Sequence, residues 1–353
     1  MKILWFNHRD LKHPLAGGAE RTIYEVSKRL VSSGYEIILV TVNPGGLDES
    51  EILDGIKIIR IKGNIRAHLA VPKIIEKMKP DIIIDDLAHV VPWLSPLFTK
   101  KKVIVFFRHL HARSLPGQVS FPLFLLLKNI EKSYRFFYRN SIFVTETDTG
   151  INDLVKLGIK RDLIRRILPG VDRNTFKPCE KTKTPSIIYF GGLRDYKRPW
   201  LAVELMNQLR DYDVRMKVVG SGPSLEKVTS LCKRYGLEER IDFTGRLSEM
   251  DLAKAVCESW INVHFSVTEG FGYTIIESAS CGLPTLALEA PGVSDVIREF
   301  KIGISEMDID HMTNDVKKIL ENYNEWSLQV LNSSKVFSWE NTVSHWIELI
   351  KGE

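Results

Sequence analysis

The sequence lacks the features that mark several large classes of protein. Its four cysteines, Cys179, Cys232, Cys257 and Cys281, stand far apart with no Cys-x-x-Cys pair. That argues against zinc and against a disulfide scaffold, and makes a reducing cytosol the simplest compartment. No stretch approaches the ~20 apolar residues of a membrane span. The opening apolar run, Ile3 to Phe6, is too short for a signal peptide and reads as a first strand. No Gly-x-Gly-x-x-Gly follows it, which counts against a nicotinamide or flavin enzyme. Charge of one sign is scarce: 49 basic against 44 acidic residues leave a net +5 and a pI near 8.8. Such a balance fits an anionic ligand or an acidic membrane surface and does not demand nucleic acid. Low-complexity segments and short repeats are absent as well.

What is present is a soluble globular composition, 44% hydrophobic and 26% charged, over 353 residues. That length favours two domains. Short apolar strands alternate with amphipathic helices in each half. The first half reads as strands at Ile3–Phe6, Ile37–Val42, Lys57–Ile61, Asp81–Ile84, Val103–Phe107 and Ile142–Val144. A helix follows Gly17-Gly18, with Ile23, Val26 and Leu30 on one face. The polar stretch 173–186, with Pro178 and Pro185, reads as a linker. The pattern then restarts with strands at Ile187–Phe190, Arg215–Val219, Ile241–Phe243, Ile261–Phe265 and Pro284–Leu288. Strand–helix–strand repetition predicts an α/β protein of two Rossmann-like, doubly wound parallel-sheet domains, 1–172 and 187–337, with a ligand expected at the cleft they share.

The densest chemistry lies between Ser266 and Pro284. Glu269 and Glu277 bracket a Gly270-Phe271-Gly272 turn that opens a helix. A helix N-terminus offers free N–H groups to phosphate. Glu277, about one turn in, leans back toward that mouth, so two carboxylates can accept from sugar or ribose hydroxyls. Donors for phosphate beside acceptors for hydroxyls suit a nucleotide sugar. Upstream, Gly191-Gly192 leads into Arg194, Lys197 and Arg198, a cation cluster after a strand that suits a diphosphate as readily as a solvated turn. Gly17-Gly18 and Gly220-Ser221-Gly222-Pro223 are two more strand–glycine–helix junctions, each consistent with ligand contact or a plain tight turn. Arg108, His109 and His111 follow a strand and could face a ligand; Asp148 reads as a helix N-cap. Segment 121–139, with Phe121, Leu125 and Phe136 among Lys128, Lys132, Arg135 and Arg139, fits either an interfacial helix on an anionic membrane or a buried helix with snorkelling basic ends.

Together these motifs resemble the family 4 retaining glycosyltransferases of the GT-B fold. Glu269-x7-Glu277 is similar to that family's Glu-x7-Glu signature. Gly17-Gly18-Ala19-Glu20-Arg21, Pro169-Gly170-Val171-Asp172, Gly220-Ser221-Gly222-Pro223, Gly282-Leu283-Pro284 and Trp339-Glu340 follow in the family's order. The resemblance implies sugar transfer from a nucleotide diphosphate to a carbohydrate or lipid-linked acceptor, with no cofactor and no metal. It implies that Glu277 holds ribose hydroxyls, that Glu269, Gly270, Phe271 and Gly272 meet the donor sugar, and that Lys197 neutralises the leaving diphosphate. Gly17, Gly18, Arg194 and Arg198 would assist at the diphosphate, Gly220 and Gly222 at the nucleotide, and His109 in catalysis. It also implies that helix 338–353 crosses back onto the first domain. The chain departs from the family in carrying Gly192 where an arginine is usual, and the family histidine aligns with either Arg108 or His109. A cytoplasmic enzyme touching the inner membrane face through 121–139 is the corresponding location. Another nucleotide-sugar enzyme of this fold, such as an epimerase, and a non-catalytic binding protein are the alternative readings.

Overall fold

The computed structural model describes residues 1–116 and 119–352. It divides into two units, Met1–Gly170 with the C-terminal stretch from Trp339, and Val171–Ser338.

The first unit contains strands β1 (Lys2–Phe6), β2 (Glu36–Asn43), β3 (Ser50–Leu53), β4 (Ile56–Lys62), β5 (Ile82–Leu87), β6 (Lys102–Phe107), β7 (Ile142–Thr145) and β8 (Ile164–Arg166). Helices α1 (Gly18–Ser32), α2 (Asn64–Met78), α3 (Phe121–Phe137) and α4 (Asp148–Lys156) connect them. The order across the sheet is β3-β4-β2-β1-β5-β6-β7-β8. Pairing is parallel except at the edge, where β3 runs antiparallel to β4. The central strands are apolar on both faces because helices cover both sides, as parallel sheets require. Ile3 pairs with Ile37 on one side and Ile82 on the other. On α1, Ile23, Val26 and Leu30 recur at helical spacing and are buried, and Gly34 adopts a φ of +87° just past the end.

The second unit comprises β9 (Ser186–Phe190), α5 (Trp200–Gln208), β10 (Arg215–Val219), α6 (Leu225–Tyr235), β11 (Ile241–Gly245), α7 (Glu249–Glu258), β12 (Ile261–His264), α8 (Tyr273–Ser280), β13 (Thr285–Leu288), α9 (Val293–Phe300), β14 (Gly303–Glu306), α10 (Ile309–Glu321) and α11 (Tyr323–Ser333). Its sheet is parallel in the order β11-β10-β9-β12-β13-β14. The last helix, α12 (Trp339–Lys351), belongs to the first unit. There Trp346 is fully buried, with its ring 5.4 Å from Trp5 and 5.3 Å from Phe106.

Four expectations need correction. Segment 173–186 is not a loose linker. Phe176 is buried, the Thr182 N–H donates to Glu258 O at 2.9 Å, and the Trp260 indole N–H donates to Thr182 O at 2.9 Å. The cysteines are not all free either: Cys179 and Cys257, 78 residues apart, form a disulfide. Sequence spacing carries no information about such a pairing, because it is the fold that brings the segment onto the end of α7. Thr147, not Asp148, caps α4, its hydroxyl accepting from Gly150 N at 3.1 Å. Finally, of the two readings open for 121–139, the buried helix is the one that the exposure of α3 contradicts. Only Glu131 and Tyr134 along it are buried, while Phe121 is 70% exposed, Leu126 57% and Phe136 64%. The Tyr134 hydroxyl donates to Val90 O, which secures the C-terminal half of the helix.

Trp346→Ala should destabilise the first unit by about 3–5 kcal/mol, the range for removing a buried aromatic. Urea titration followed by tryptophan fluorescence measures it.

Candidate active site

In the second unit, β9 ends at a turn whose backbone is shaped by close packing. Gly191 has a φ of +141°, and a Cβ at Gly220 would lie 1.9 Å from Gly191 O. A Cβ at Gly222 would lie 2.3 Å from Leu193 O. Only glycine permits this contact, so both residues of the expected nucleotide loop are needed for packing, whatever else they touch. The turn continues into a short 3₁₀ segment, Asp195–Lys197, which delivers the Lys197 side chain.

The neighbouring strand β12 runs into the Glu269 loop, and hydrogen bonds stitch the two turns together. Val267 N donates to Tyr196 O at 2.9 Å, and Arg198 Nε donates to Phe265 O at 2.6 Å. A third loop supports the same backbone: Glu269 N donates to Pro291 O at 3.1 Å, and a Cβ at Gly292 would strike Glu269 O at 2.1 Å. Gly272, with a φ of +87°, then opens α8. Glu277 lies within that helix and is nearly buried.

The result is a compact electrostatic cluster. Lys197 Nζ donates to Glu269 Oε1 at 2.7 Å, and the Ser266 hydroxyl donates to the same oxygen at 2.8 Å. His264 Nε2 lies 3.7 Å from it. Burial alone would raise the Glu269 pKa, but the Lys197 charge, His264 and the hydrogen bonds outweigh it and hold the carboxyl at about 2. Burial likewise opposes the charged lysine, yet Glu269 raises its pKa. His264 is pushed down to about 4 by burial, against the pull of Glu269. The neutral His264 keeps a buried Nδ1 with no hydrogen-bond partner, and Thr268 Oγ1 beside Glu269 is equally unpartnered. Sequence reasoning missed His264, whose place at the end of β12 was the available signal.

The cations expected at the diphosphate differ in their commitments. Arg198 is held by Phe265 O in a left-handed backbone conformation, φ +46°. The Arg194 side chain instead folds back past Gly192: a Cβ at Gly192 would lie 3.9 Å from Arg194 Cγ and Nε. Arg194 therefore lies within ordinary van der Waals reach of position 192.

The first unit holds the remaining expected residues. Gly17 precedes α1, and its N–H donates to Glu20 Oε2 at 2.7 Å, so Glu20 serves the glycine loop. Arg108 is buried. It pairs with Asp86 at 2.7 Å and Glu146 at 3.3 Å, and stacks on Phe106 at 3.5 Å. Its charge is thus already met by two buried carboxylates. The His109 ring lies 4.6 Å from His111, whose Nε2 contacts Leu87 O at 3.2 Å. Among the described residues no group of three or more His, Cys, Asp or Glu side chains is arranged to hold a metal.

Two parallel α/β sheets with this turn chemistry define a GT-B nucleotide-sugar enzyme, and comparison with known proteins agrees. The profile described as "Glycosyl transferases group 1" matches residues 171–330, and that described as "Glycosyltransferase Family 4" matches residues 16–175. A subunit of phosphatidylinositol N-acetylglucosaminyltransferase from Arabidopsis thaliana is 22% identical, over 94% of this chain and 78% of its own length. Among solved structures, sucrose-phosphate synthase from Thermosynechococcus elongatus superposes with a TM-score of 0.82 at 18% identity, covering 99% of this chain and 98% of that one. HepE from Anabaena, solved with UDP and glucose, gives 0.77 at 15% identity, covering 100% of both. The chain belongs to the GT4-type glycosyltransferases of the GT-B fold, enzymes that transfer a sugar from a nucleotide sugar to an acceptor.

Because the folded pKa of Glu269 lies below its ordinary value of 4.5, its stabilising effect is present above about pH 4.5 and is lost as pH falls toward about 2. Glu269→Gln should therefore be less stable than the wild type at neutral pH, and the gap should narrow on acidification through that window. Thermal melts across the acid range measure it.

Proposed function

We propose that the enzyme retains anomeric configuration and that Lys197 and Glu269 form the centre of its donor site. One observation carries this reading: a charged lysine and a charged carboxylate meet at 2.7 Å beside the turn that opens α8. A nucleotide diphosphate sugar supplies a partner for each. Its diphosphate competes for Lys197, and its sugar hydroxyls donate to the released Glu269 oxygens. Arg194, lying over Gly192, adds the second cation at the diphosphate. Glu277 takes the ribose hydroxyls, and Gly270, Phe271 and Gly272 line the sugar.

In the proposed step the acceptor oxygen bonds to the anomeric carbon as the bond from that carbon to the diphosphate breaks on the same face. The acceptor proton passes to the departing phosphate oxygen. Negative charge grows on the diphosphate, and fixed cations offset it most effectively in a site shielded from water. This reading needs neither a metal nor a cofactor. The UDP seen with HepE makes a uridine diphosphate sugar the first donor to try.

The acceptor we favour is a glycolipid or a surface polysaccharide precursor at a membrane. The support comes from α3, which carries exposed Phe121, Leu126 and Phe136 together with Lys128, Lys132 and Arg135. Apolar side chains inserted at the headgroup boundary, with basic residues against anionic lipid, make a peripheral contact. Among the described residues no helix is long and apolar enough to cross a membrane.

Lys197→Ala should lower kcat roughly a hundredfold to a thousandfold, the scale for removing a positioned charge-stabilising group. Steady-state assays of nucleotide diphosphate release measure it, and near-normal turnover would refute the leaving-group role. Phe121→Ser with Leu126→Ser should reduce co-sedimentation with anionic liposomes while leaving neutral liposomes equally unbound. Undiminished sedimentation would remove α3 from the membrane contact.

A further inference from the structure

Of the nine histidines in the chain, His8, His13, His68, His89, His109 and His111 all belong to the first unit, on the loop after β1, on α2, and on the loops after β5 and β6. The order of the first sheet reverses between β1 and β5. His8 lies just beyond the end of β1 and His89 just beyond the end of β5. In an open α/β sheet the crevice at such a reversal is where a ligand sits.

Four rings form the lining. His8 lies 4.2 Å from His89 and 4.6 Å from Trp93, and His68 stacks on Trp93 at 4.5 Å. The Nε2 atoms of His8 and His68 face each other at 3.3 Å, so one must donate and the other accept. In either tautomer pair His8 Nδ1, on a residue only 7% exposed, is left without a partner, as an N–H in one case and a lone pair in the other. A buried polar atom in that state costs free energy until something binds it.

The surrounding charge is one-sided. Arg9, His13, His68 and His111 face His8 or His89. The nearby carboxylates are engaged: Asp10 accepts from Arg60 at 2.7 and 3.0 Å, Glu20 from Gly17 N, and Asp86 from Arg108. Burial, then repulsion among these groups, pushes His8 down to about 2 and His89 to about 3. The rings are thus neutral near pH 7, held so chiefly by burial, with the Arg9 guanidinium as the fixed positive neighbour. A dianion placed among them beside Arg9 favours the protonated rings, whereas an uncharged sugar does not. The rings are not a chelate, since no metal-holding group is found among the described residues.

We propose that the crevice lined by His8, His68, His89 and Trp93 beside Arg9 binds the phosphate ester of a phosphorylated acceptor and takes up protons as it does so. This rests on the glycosyl-transfer reading only in calling the ligand an acceptor. The phosphate ester can belong to a soluble sugar phosphate or to a lipid head group.

The test uses the full chain with Lys197→Ala, which removes the cation proposed for the donor diphosphate, labelled with ¹⁵N in its histidine rings. The probes are glucose 6-phosphate, monomeric dihexanoyl phosphatidic acid, and glucose as the uncharged control. Calorimetry in two buffers of different ionisation enthalpy should show uptake of about one proton, with affinity rising roughly tenfold from about pH 8 to about pH 6. The His8 and His89 ring signals should move toward the protonated form. Response to the sugar phosphate alone assigns a soluble acceptor, and response to the lipid alone assigns a head group; both support the site. Heats independent of buffer, an equal response to glucose, or unmoved ring signals would overturn it. So would ring signals that respond to zinc ion but to neither phosphate ester. Arg9→Ala and His68→Gln, each checked for a native melt, should weaken binding about tenfold, the loss for a charge-assisted hydrogen bond. His68 is the less buried of the central pair and gives a usable variant if replacement of His8 prevents folding. Loss of UDP binding in the Lys197-intact chain, with phosphate-ester uptake preserved, would defeat the donor reading and leave this site standing.

Discussion

An ammonium and a carboxylate that satisfy each other inside the second unit constrain everything around them. Lys197 and Glu269 come from turns after different strands, and both would be costly to bury alone. Their pairing is possible because the two turns are already joined through Tyr196, Val267, Arg198 and Phe265. The glycines at 191, 220 and 222 bring backbone against backbone beneath one partner, and Gly292 does so beneath the other. The site is therefore a preformed charge pair on a rigid base. In the donor-site reading proposed above, an entering ligand replaces each half of the pair, which favours a molecule carrying an anion and hydroxyls together.

Much of this architecture was legible in the residue order. The central strands are apolar on both faces, so β1, β2, β5, β6, β9, β10 and β12 declared themselves as short apolar runs between amphipathic helices. Of the edge strands only β11 was legible; β3, β8 and β14 were not, because a strand with one neighbour is only partly covered and its composition can differ little from a loop. Glu269, Lys197 and the glycine turns stood out because special backbone conformations and paired charges leave marks at short range. The Cys179–Cys257 disulfide and the His264 contact left none, since each joins segments that only the folded sheet brings together. The same holds for the six histidines that precede residue 112. Spread across a hundred residues of sequence they look like ordinary background. Helix α3 was ambiguous for a different reason: its apolar and basic content suits a core or an interface equally, and the burial of only two side chains along the helix speaks against the core.

The two units also differ in how they use charge. The second sets a lysine and a carboxylate together at the Lys197–Glu269 cluster, whereas the first buries Arg60 and Arg108 in two separate clusters. There Asp10 locks Arg60, Asp86 and Glu146 hold Arg108, and burial pushes the His8 and His89 imidazoles well below their ordinary range. The two units thus build different electrostatic surroundings on related parallel α/β sheets.

The chain leaves the first unit at Gly170 and re-enters it at Trp339. These two residues touch so closely that a Cβ on Gly170 would lie 2.5 Å from Trp339 N. Just inside the second unit, Val171 N donates to Phe337 O, so its ends also lie side by side. The second unit is thus an inserted module, and the first is a discontinuous domain whose core closes only when Trp346 meets Trp5. Trp5 is synthesised well before its partner Trp346. Until the two meet, an aromatic face of the first sheet lacks its cover, the kind of surface that invites misassembly.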